Sequence, residues 1–233
     1  MEPSVIFEDN HLLLLNKPTG WLVQGDKTGD PVLSDWGKIY LKNKYDKPGE
    51  VFLQPVHRLD RPVSGVVLLA RTSKALTRLG NLFRDREIQK TYLAVVAGTP
   101  HLQADELRHF LIKNKENNTV KAFSKMPKNQ PGAKEAVLNY ETIWSDGKCS
   151  LLKIKPLTGR PHQIRVQIAS IGCPILGDLK YGAGSPLPDA SIALHAFQLE
   201  FEHPVRLEKL TVTAPLPESD VWKIVSSTSS VSL

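Results

Sequence analysis

The stretch Pro55-Val56-His57-Arg58-Leu59-Asp60-Arg61-Pro62-Val63-Ser64-Gly65-Val66-Val67-Leu68-Leu69-Ala70 joins two kinds of chain. Its first half is polar and sets one acid between two arginines. Its second half, Val66 to Ala70, is a continuous apolar run with two valines and predicts a buried strand. Thr72 or Ser73 then caps a helix with the apolar stripe Leu76, Leu79, Leu82 and Phe83.

The same pattern extends outward on both sides. Val5–Phe7 and Leu12–Leu15 flank the turn cluster Glu8-Asp9-Asn10 and read as a strand pair, which Lys17-Pro18-Thr19-Gly20 ends with loop chemistry. Leu33, Trp36, Ile39 and Tyr40 recur at helical spacing, predicting a helix over 33–43. Strands are expected at 88–97, 136–144, 150–157, 192–201 and 210–214, with Ser145-Asp146-Gly147-Lys148 as a hairpin turn. Pro161 is placed to open a helix that Gly172 closes, with Ile164, Ile168 and Ile171 as its core stripe. Strands outnumber helices and several are adjacent hairpins, so the class is α+β with a largely antiparallel sheet. There is no internal repeat and no linker that cleanly divides the chain.

The 233 residues suffice for one large domain or two modest lobes, and 41% hydrophobic with 23% charged residues excludes wholesale disorder. Two cysteines, Cys149 and Cys173, make neither a disulfide framework nor a zinc motif, and a reducing compartment is the default. The N-terminus is acidic where a signal peptide would be basic, and the apolar run Leu12–Leu15 is too short to span a bilayer. The expected location is therefore the cytoplasm, with no membrane partner.

Asp60, in its Arg-rich loop, is a candidate activated carboxylate, because flanking guanidinium charge favours the ionised form. The alternative is an Asp that caps a turn and pairs with Arg58 or Arg61. His162 and Arg165 lie three apart on one face of the helix starting at Pro161, with Arg160 just outside, as an anion site or as a solvated helix start. Tyr92 lies within the strand over 88–97, where a Tyr taken alone is usually core. His101, His109, His195 and His203 have no ligand spacing and are expected at strand edges or loops, so no metal site is expected.

Taken together these segments resemble a known family. His57-Arg58-Leu59-Asp60-Arg61, followed by Ser64-Gly65 and an apolar strand, resembles the signature of RluA-type RNA pseudouridine synthases. In the same order, Asn16-Lys17-Pro18-Thr19-Gly20, Lys90-Thr91-Tyr92, Thr158-Gly159-Arg160-Pro161-His162-Gln163-Ile164-Arg165, Gly177-Asp178 with Tyr181-Gly182, and Leu194-His195-Ala196 resemble its other motifs. The resemblance runs from about residue 5 to residue 215. One departure is Val63, where a Thr is common before the Ser-Gly pair.

The resemblance implies an α+β fold with a largely antiparallel mixed β-sheet core of the pseudouridine synthase type, flanked by a few helices and loops, with a central active-site cleft. Residues 1–225 would form a single catalytic domain without a separate N-terminal RNA-binding domain, and 226–233 a disordered tail. The implied reaction turns uridine in ribosomal or transfer RNA into pseudouridine without cofactor or metal, in a monomer. Asp60 would be the catalytic carboxylate, Arg165 its ion-pair partner and Tyr92 the ring that stacks on the flipped uracil. Arg58 would contact RNA, and Lys17, Lys90, Arg160 and His162 would touch phosphates or support the site. Competing readings are a non-catalytic RNA-binding protein and a glycosidase-like hydrolase. The latter needs a second carboxylate, for which Asp178 is available but lies in a turn-like Gly-Asp loop.

Charge adds a last element. Thirty Lys and Arg against 24 Asp and Glu give 30 − 24 = +6. Residues 107–134 hold Arg108, Lys113, Lys115, Lys121, Lys125, Lys128 and Lys134 against Glu116 alone, which is 7 − 1 = +6. With its Asn, Pro and Gly residues this stretch reads as a projecting loop or hairpin, either a solvated one or an arm that grips RNA phosphates.

Overall fold

The computed structural model describes residues 1–114, 116–128, 130 and 132–223. The expected tail 226–233 and Lys115 lie outside the described residues. In chain order the elements of the first half are β1 (Ser4–Glu8), β2 (Leu12–Lys17), α1 (Leu33–Lys44), β3 (Gln54–Pro55), β4 (Ser64–Ala70), α2 (Ser73–Arg84) and β5 (Gln89–Ala97). Those of the second half are β6 (Ala104–Asn114), β7 (Thr119–Phe123), β8 (Lys134–Ser145), β9 (Cys149–Pro156), α3 (Gln163–Ser170), β10 (Leu194–Glu202) and β11 (Lys209–Thr213). Eleven strands, mostly antiparallel, and three α-helices among the described residues make the class α+β, as the sequence pattern predicts. Their described residues pack as two units, Met1–Lys90 with His195–Pro217, and Thr91–Leu194 with the segment that begins at Glu218.

In the first unit β4 is central. It runs antiparallel to β2 from Leu12↔Ala70 to Lys17↔Gly65, antiparallel to the short β3, and parallel to β10 through His195↔Ser64 and Ala196↔Gly65. All seven β4 residues are buried, which is why the run reads as continuously apolar rather than alternating. Gly65 permits the parallel contact. Its φ is +117°, and a Cβ there would lie 2.2 Å from the Ala196 carbonyl oxygen. Thr72 caps α2 by accepting the Ala75 N–H at 3.2 Å, and Ala75 and Leu79 carry the buried stripe.

At the other end of this unit Glu8 ties β1 to α1 and β4. Its carboxylate accepts from Tyr40 (2.9 Å), Lys44 (2.7 Å), Tyr45 (2.6 Å) and Arg71 (3.0 Å). Burial alone would raise its pKa, but hydrogen bonds from Lys44, Tyr45 and Tyr40 outweigh that and hold it at about 2.

The second unit is an antiparallel series in the order β5-β9-β8-β6-β7. The β8–β9 turn forms as expected, with Asp146 Oδ1 accepting the N–H groups of Lys148 and Cys149 at 2.8 Å. α3 closes a small core of Leu111, Val120, Ala136 and Val166. The helix does not open at Pro161. It begins at Gln163, after His162 in a left-handed conformation (φ 51°). The Gln163 side chain draws the chain into a tight turn by accepting from Thr158 Oγ1 (2.7 Å) and Arg160 N–H (2.9 Å) and donating to the Val137 carbonyl (3.0 Å). Ile164 and Ile168 are buried as predicted, whereas Ile171 lies past the helix end and is half-buried.

Because the Glu8 carboxylate titrates at about 2 when folded against 4.5 unfolded, it stabilises above pH 4.5 and that gain fades as pH falls from there toward 2. Glu8→Gln is expected to lower stability by about 1–3 kcal/mol at neutral pH. Urea unfolding should show the gap from wild type narrowing below pH 4.5. A gap that stays constant through that range would remove the ionised carboxylate from this account.

Candidate active site

Asp60 sits in the loop between β3 and β4, in the first unit, and is half-buried. The loop is fixed from several directions. Val63 N–H closes a turn on the Asp60 carbonyl at 3.0 Å. The next carbonyl, that of Arg61, accepts the Gly20 N–H at 3.0 Å and the Lys17 ammonium at 3.1 Å. Lys17 Nζ also donates to the carbonyls of Pro18 (3.0 Å) and Trp21 (2.8 Å), so its three protons meet three backbone acceptors. The Arg61 guanidinium returns to the Gly20 carbonyl (3.3 Å) and to Asp30 (2.9 Å). The two loops, 17–21 and 58–61, are thus laced together around one ammonium group.

Lys17 is fully buried. Burial pushes its pKa down to about 7, opposed by the Asp60 charge and assisted by Arg61. A side chain so enclosed does not face a phosphate. Of the two roles expected for it, the geometry fits support of the Asp60 loop.

Two histidines hold the same loop at its ends. His57 Nε2 accepts the Leu68 N–H at 3.0 Å, and its ring stacks on Phe83 at 5.1 Å. Burial, with the Lys90 charge, pushes its imidazole down to about 3, so the accepting nitrogen stays unprotonated. His195 Nδ1 lies 2.8 Å from Ser64 Oγ, and burial pushes this ring down to about 4, against a backbone hydrogen bond at Ala214. His195, the second residue of β10, and His203, in the loop just after it, are both fully buried. His203 bonds Asp9 at 2.8 Å. His203 Nδ1 also accepts the N–H groups of Val205 (3.2 Å) and Arg206 (2.9 Å), and this two-sided hydrogen bonding explains why His203 tolerates the interior. Arg58 is exposed. Lys90 is half-buried, with its pKa lowered by burial and by Arg86.

In the second unit Tyr92 is half-buried on β5 opposite Ile154, between buried Thr91 and Leu93. Arg165, on α3, forms a bidentate pair with Asp178, Nε–Oδ2 at 2.7 Å and Nη2–Oδ1 at 2.8 Å. Its guanidinium lies 5.1 Å from the centre of the Tyr181 ring, and Tyr181 Oη meets His162 Nδ1 at 2.7 Å. His162 therefore points into this cluster. Arg160 donates to the Glu135 carbonyl at 2.9 Å. Asp178 and Tyr181 lie in motifs visible in the sequence, but a Gly-Asp loop followed by Tyr-Gly reads as a turn until the fold brings α3 against it.

The basic stretch begins on β6 and forms the β6–β7 hairpin. Lys113, Lys121, Lys125, Lys128 and Lys134 are exposed, and no acid lies within ion-pair distance of them among the described residues. Arg108 differs, because Glu106 (2.9 Å) and Glu135 (2.8 Å), just outside the counted window, neutralise it.

Lys17→Met keeps the length of the side chain and removes all three donors. The Pro18 and Trp21 carbonyls then lose this donor and the Arg61 carbonyl keeps only the Gly20 N–H, with an expected cost of about 2–4 kcal/mol in thermal or urea unfolding. Wild-type stability would show that the ammonium does not hold the two loops.

Comparison with known proteins gives the family. Residues 11–170 match the model of the RNA pseudouridylate synthase family. Ribosomal large subunit pseudouridine synthase C of Vibrio cholerae serotype O1 is 32% identical over 222 residues, covering 93% of this chain and 66% of the relative. The protein of the same name from Pasteurella multocida is 34% identical over 233 residues, covering 97% and 68%. The chain thus spans about two thirds of the length of these curated relatives. The solved structure of Human RNA Pseudouridylate Synthase Domain Containing 4 superposes with a TM-score of 0.77 at 26% identity, covering 97% of this chain and 91% of that one. Human RNA Pseudouridylate Synthase Domain Containing 1 shares the fold, with a TM-score of 0.68 at 21% identity over 99% and 96% of the two chains. A family match across most of the chain, together with these relatives, means that this protein belongs to the RNA pseudouridylate synthase family, in its RluA-type branch.

Proposed function

We propose that this chain isomerises specific uridines in RNA to pseudouridine, with Asp60 as the catalytic carboxylate. In that reaction the bond between the ribose anomeric carbon and uracil N1 breaks. The uracil turns, a bond forms from the same carbon to uracil C5, the C5 proton leaves and N1 takes up a proton, so the product is an isomer of the substrate. No electrons are gained or lost overall. An ionised Asp60 serves either as the nucleophile at the anomeric carbon or as the base that removes a ribose proton. Tyr92 stacks on the extruded uracil and assists removal of the C5 proton. Arg165 keeps the reacting carboxylate charged and oriented, and Arg58 contacts the RNA around the extruded base. These roles follow from the family resemblance of the motifs.

The observation that supports the reading most is the Asp60 loop itself. A half-buried acid, laced to a second loop by the Lys17 ammonium and leading into a fully buried strand, has a preorganised backbone. The relatives are named for the large ribosomal subunit, which favours ribosomal over transfer RNA as the substrate class. The exposed lysines of the β6–β7 hairpin and the segment after it supply a phosphate-binding surface.

Pseudouridine mapping of total RNA, with the gene deleted and then restored as wild type or Asp60→Asn, tests the reading. Discrete sites should vanish on deletion and return only with wild type, the variant losing activity by about a thousandfold or more while still binding RNA. Sites restored by Asp60→Asn would remove Asp60 from the chemistry.

A second test addresses the hairpin. Replacing Lys113, Lys121, Lys125 and Lys128 with Gln should weaken RNA binding and flatten its logarithmic salt dependence, by about three units if all four meet phosphates. An unchanged slope would make the hairpin a solvated surface feature.

A further inference from the structure

We infer that Asp178 and Tyr181 are positioning residues that fix the plane and direction of the Arg165 guanidinium, an inference that rests on the proposed role of Arg165. The two residues constrain the group in complementary ways. Asp178 engages the Nε and Nη2 edge in the guanidinium plane at 2.7 and 2.8 Å, while the Tyr181 ring lies over its face at 5.1 Å. An in-plane fork and a facial stack together leave no free rotation about the last side-chain bonds. The Nη1 donors, which Asp178 does not engage, are thereby given a set direction.

The supporting shell is itself fixed. Gly177 adopts φ +83°, and a Cβ there would lie 2.6 Å from the Ser191 carbonyl oxygen, so this turn is shaped to present Asp178 inward. The Asp178 carbonyl accepts the N–H groups of Tyr181 (3.0 Å) and Ala183 (3.1 Å). Tyr181 Oη accepts the Val120 N–H from β7 at 2.9 Å and meets His162 Nδ1 at 2.7 Å. The ring therefore cannot turn away from Arg165 without breaking two hydrogen bonds. Side-chain exposure is 7% for Arg165 and 1% for Asp178. A buried ion pair gains little over an apolar pair of similar volume, so stability alone does not account for a bidentate pair with a ring stacked on it. Orientation of Arg165 does.

The test is a double-variant cycle of Asp178→Asn and Arg165→Ala, read as the single-turnover rate at saturating RNA, with RNA affinity measured separately. Asp178→Asn should slow the rate by roughly tenfold to a hundredfold with affinity nearly unchanged, as expected for a catalytic group displaced by about an ångström. Combined with Arg165→Ala it should slow the rate no further than Arg165→Ala alone, because it acts only through Arg165. An additive loss would make Asp178 a general structural element and overturn the inference. Wild-type rates for Asp178→Asn beside an impaired Arg165→Ala would overturn it while leaving the Arg165 role standing. Wild-type rates for Arg165→Ala would remove both. Since Asp178→Asn leaves a buried guanidinium without its carboxylate, Tyr181→Leu is the second probe. It should cost about threefold to thirtyfold in rate, restored by Tyr181→Phe, which keeps the facial stack. No loss in Tyr181→Leu would refute the facial constraint.

Discussion

A fully buried ammonium group must find acceptors for all three protons, and in this protein Lys17 finds them in the carbonyls of Pro18, Trp21 and Arg61. That requirement sets the spacing of two loops. The 17–21 loop curls around its own lysine, and the Arg61 carbonyl must come within reach, bringing Asp60 with it. Charge joins the geometry, since Asp60 is the anion that acts on this ammonium from the neighbouring loop. The rest of the first unit serves the arrangement. β2 delivers Lys17 from a run of fully buried leucines, β4 leaves the loop through Gly65, and His195 anchors Ser64 where the loop becomes strand.

Much of this was legible in the residues. The apolar run after Asp60 had to be an interior strand, and Thr72 was a chemically sound helix cap that the structure uses. The β8–β9 turn followed from Asp146 and Gly147, because the Asp side chain makes the turn's hydrogen bonds locally. Such features depend on neighbours in sequence, so pattern suffices. The start of α3 did not follow. Pro161 satisfies the usual preference for a first helical position, but Gln163 has partners at Thr158 and Val137 that only the folded sheet supplies, and these pull the start two residues on.

The candidate site divides in the same way. Asp60, Tyr92 and Arg165 stood out because their motifs are contiguous. For Lys17 the sequence left phosphate contact and support of the site both open, since a lysine before a proline gives no sign that three carbonyls will surround it. Asp178 looked like a turn residue because its partner is thirteen positions away on a helix. Net charge behaved as composition suggests only after pairing is considered. Arg108 belongs to a local ion-pair set, whereas the lysines of the hairpin and of the segment after it stand exposed without acids beside them.

Proximity of an acid to basic groups does not by itself separate isomerisation from hydrolysis, because both break the same glycosidic bond. What separates them is the fate of the hydrogen on uracil C5, which only the isomerisation displaces. The most direct measurement is tritium release from RNA labelled at uracil C5, followed by digestion to nucleosides. The account predicts tritium in water in equal amount to pseudouridine formed, with no free uracil. Free uracil with the label retained, or no release at all with RNA that the protein binds, would contradict it.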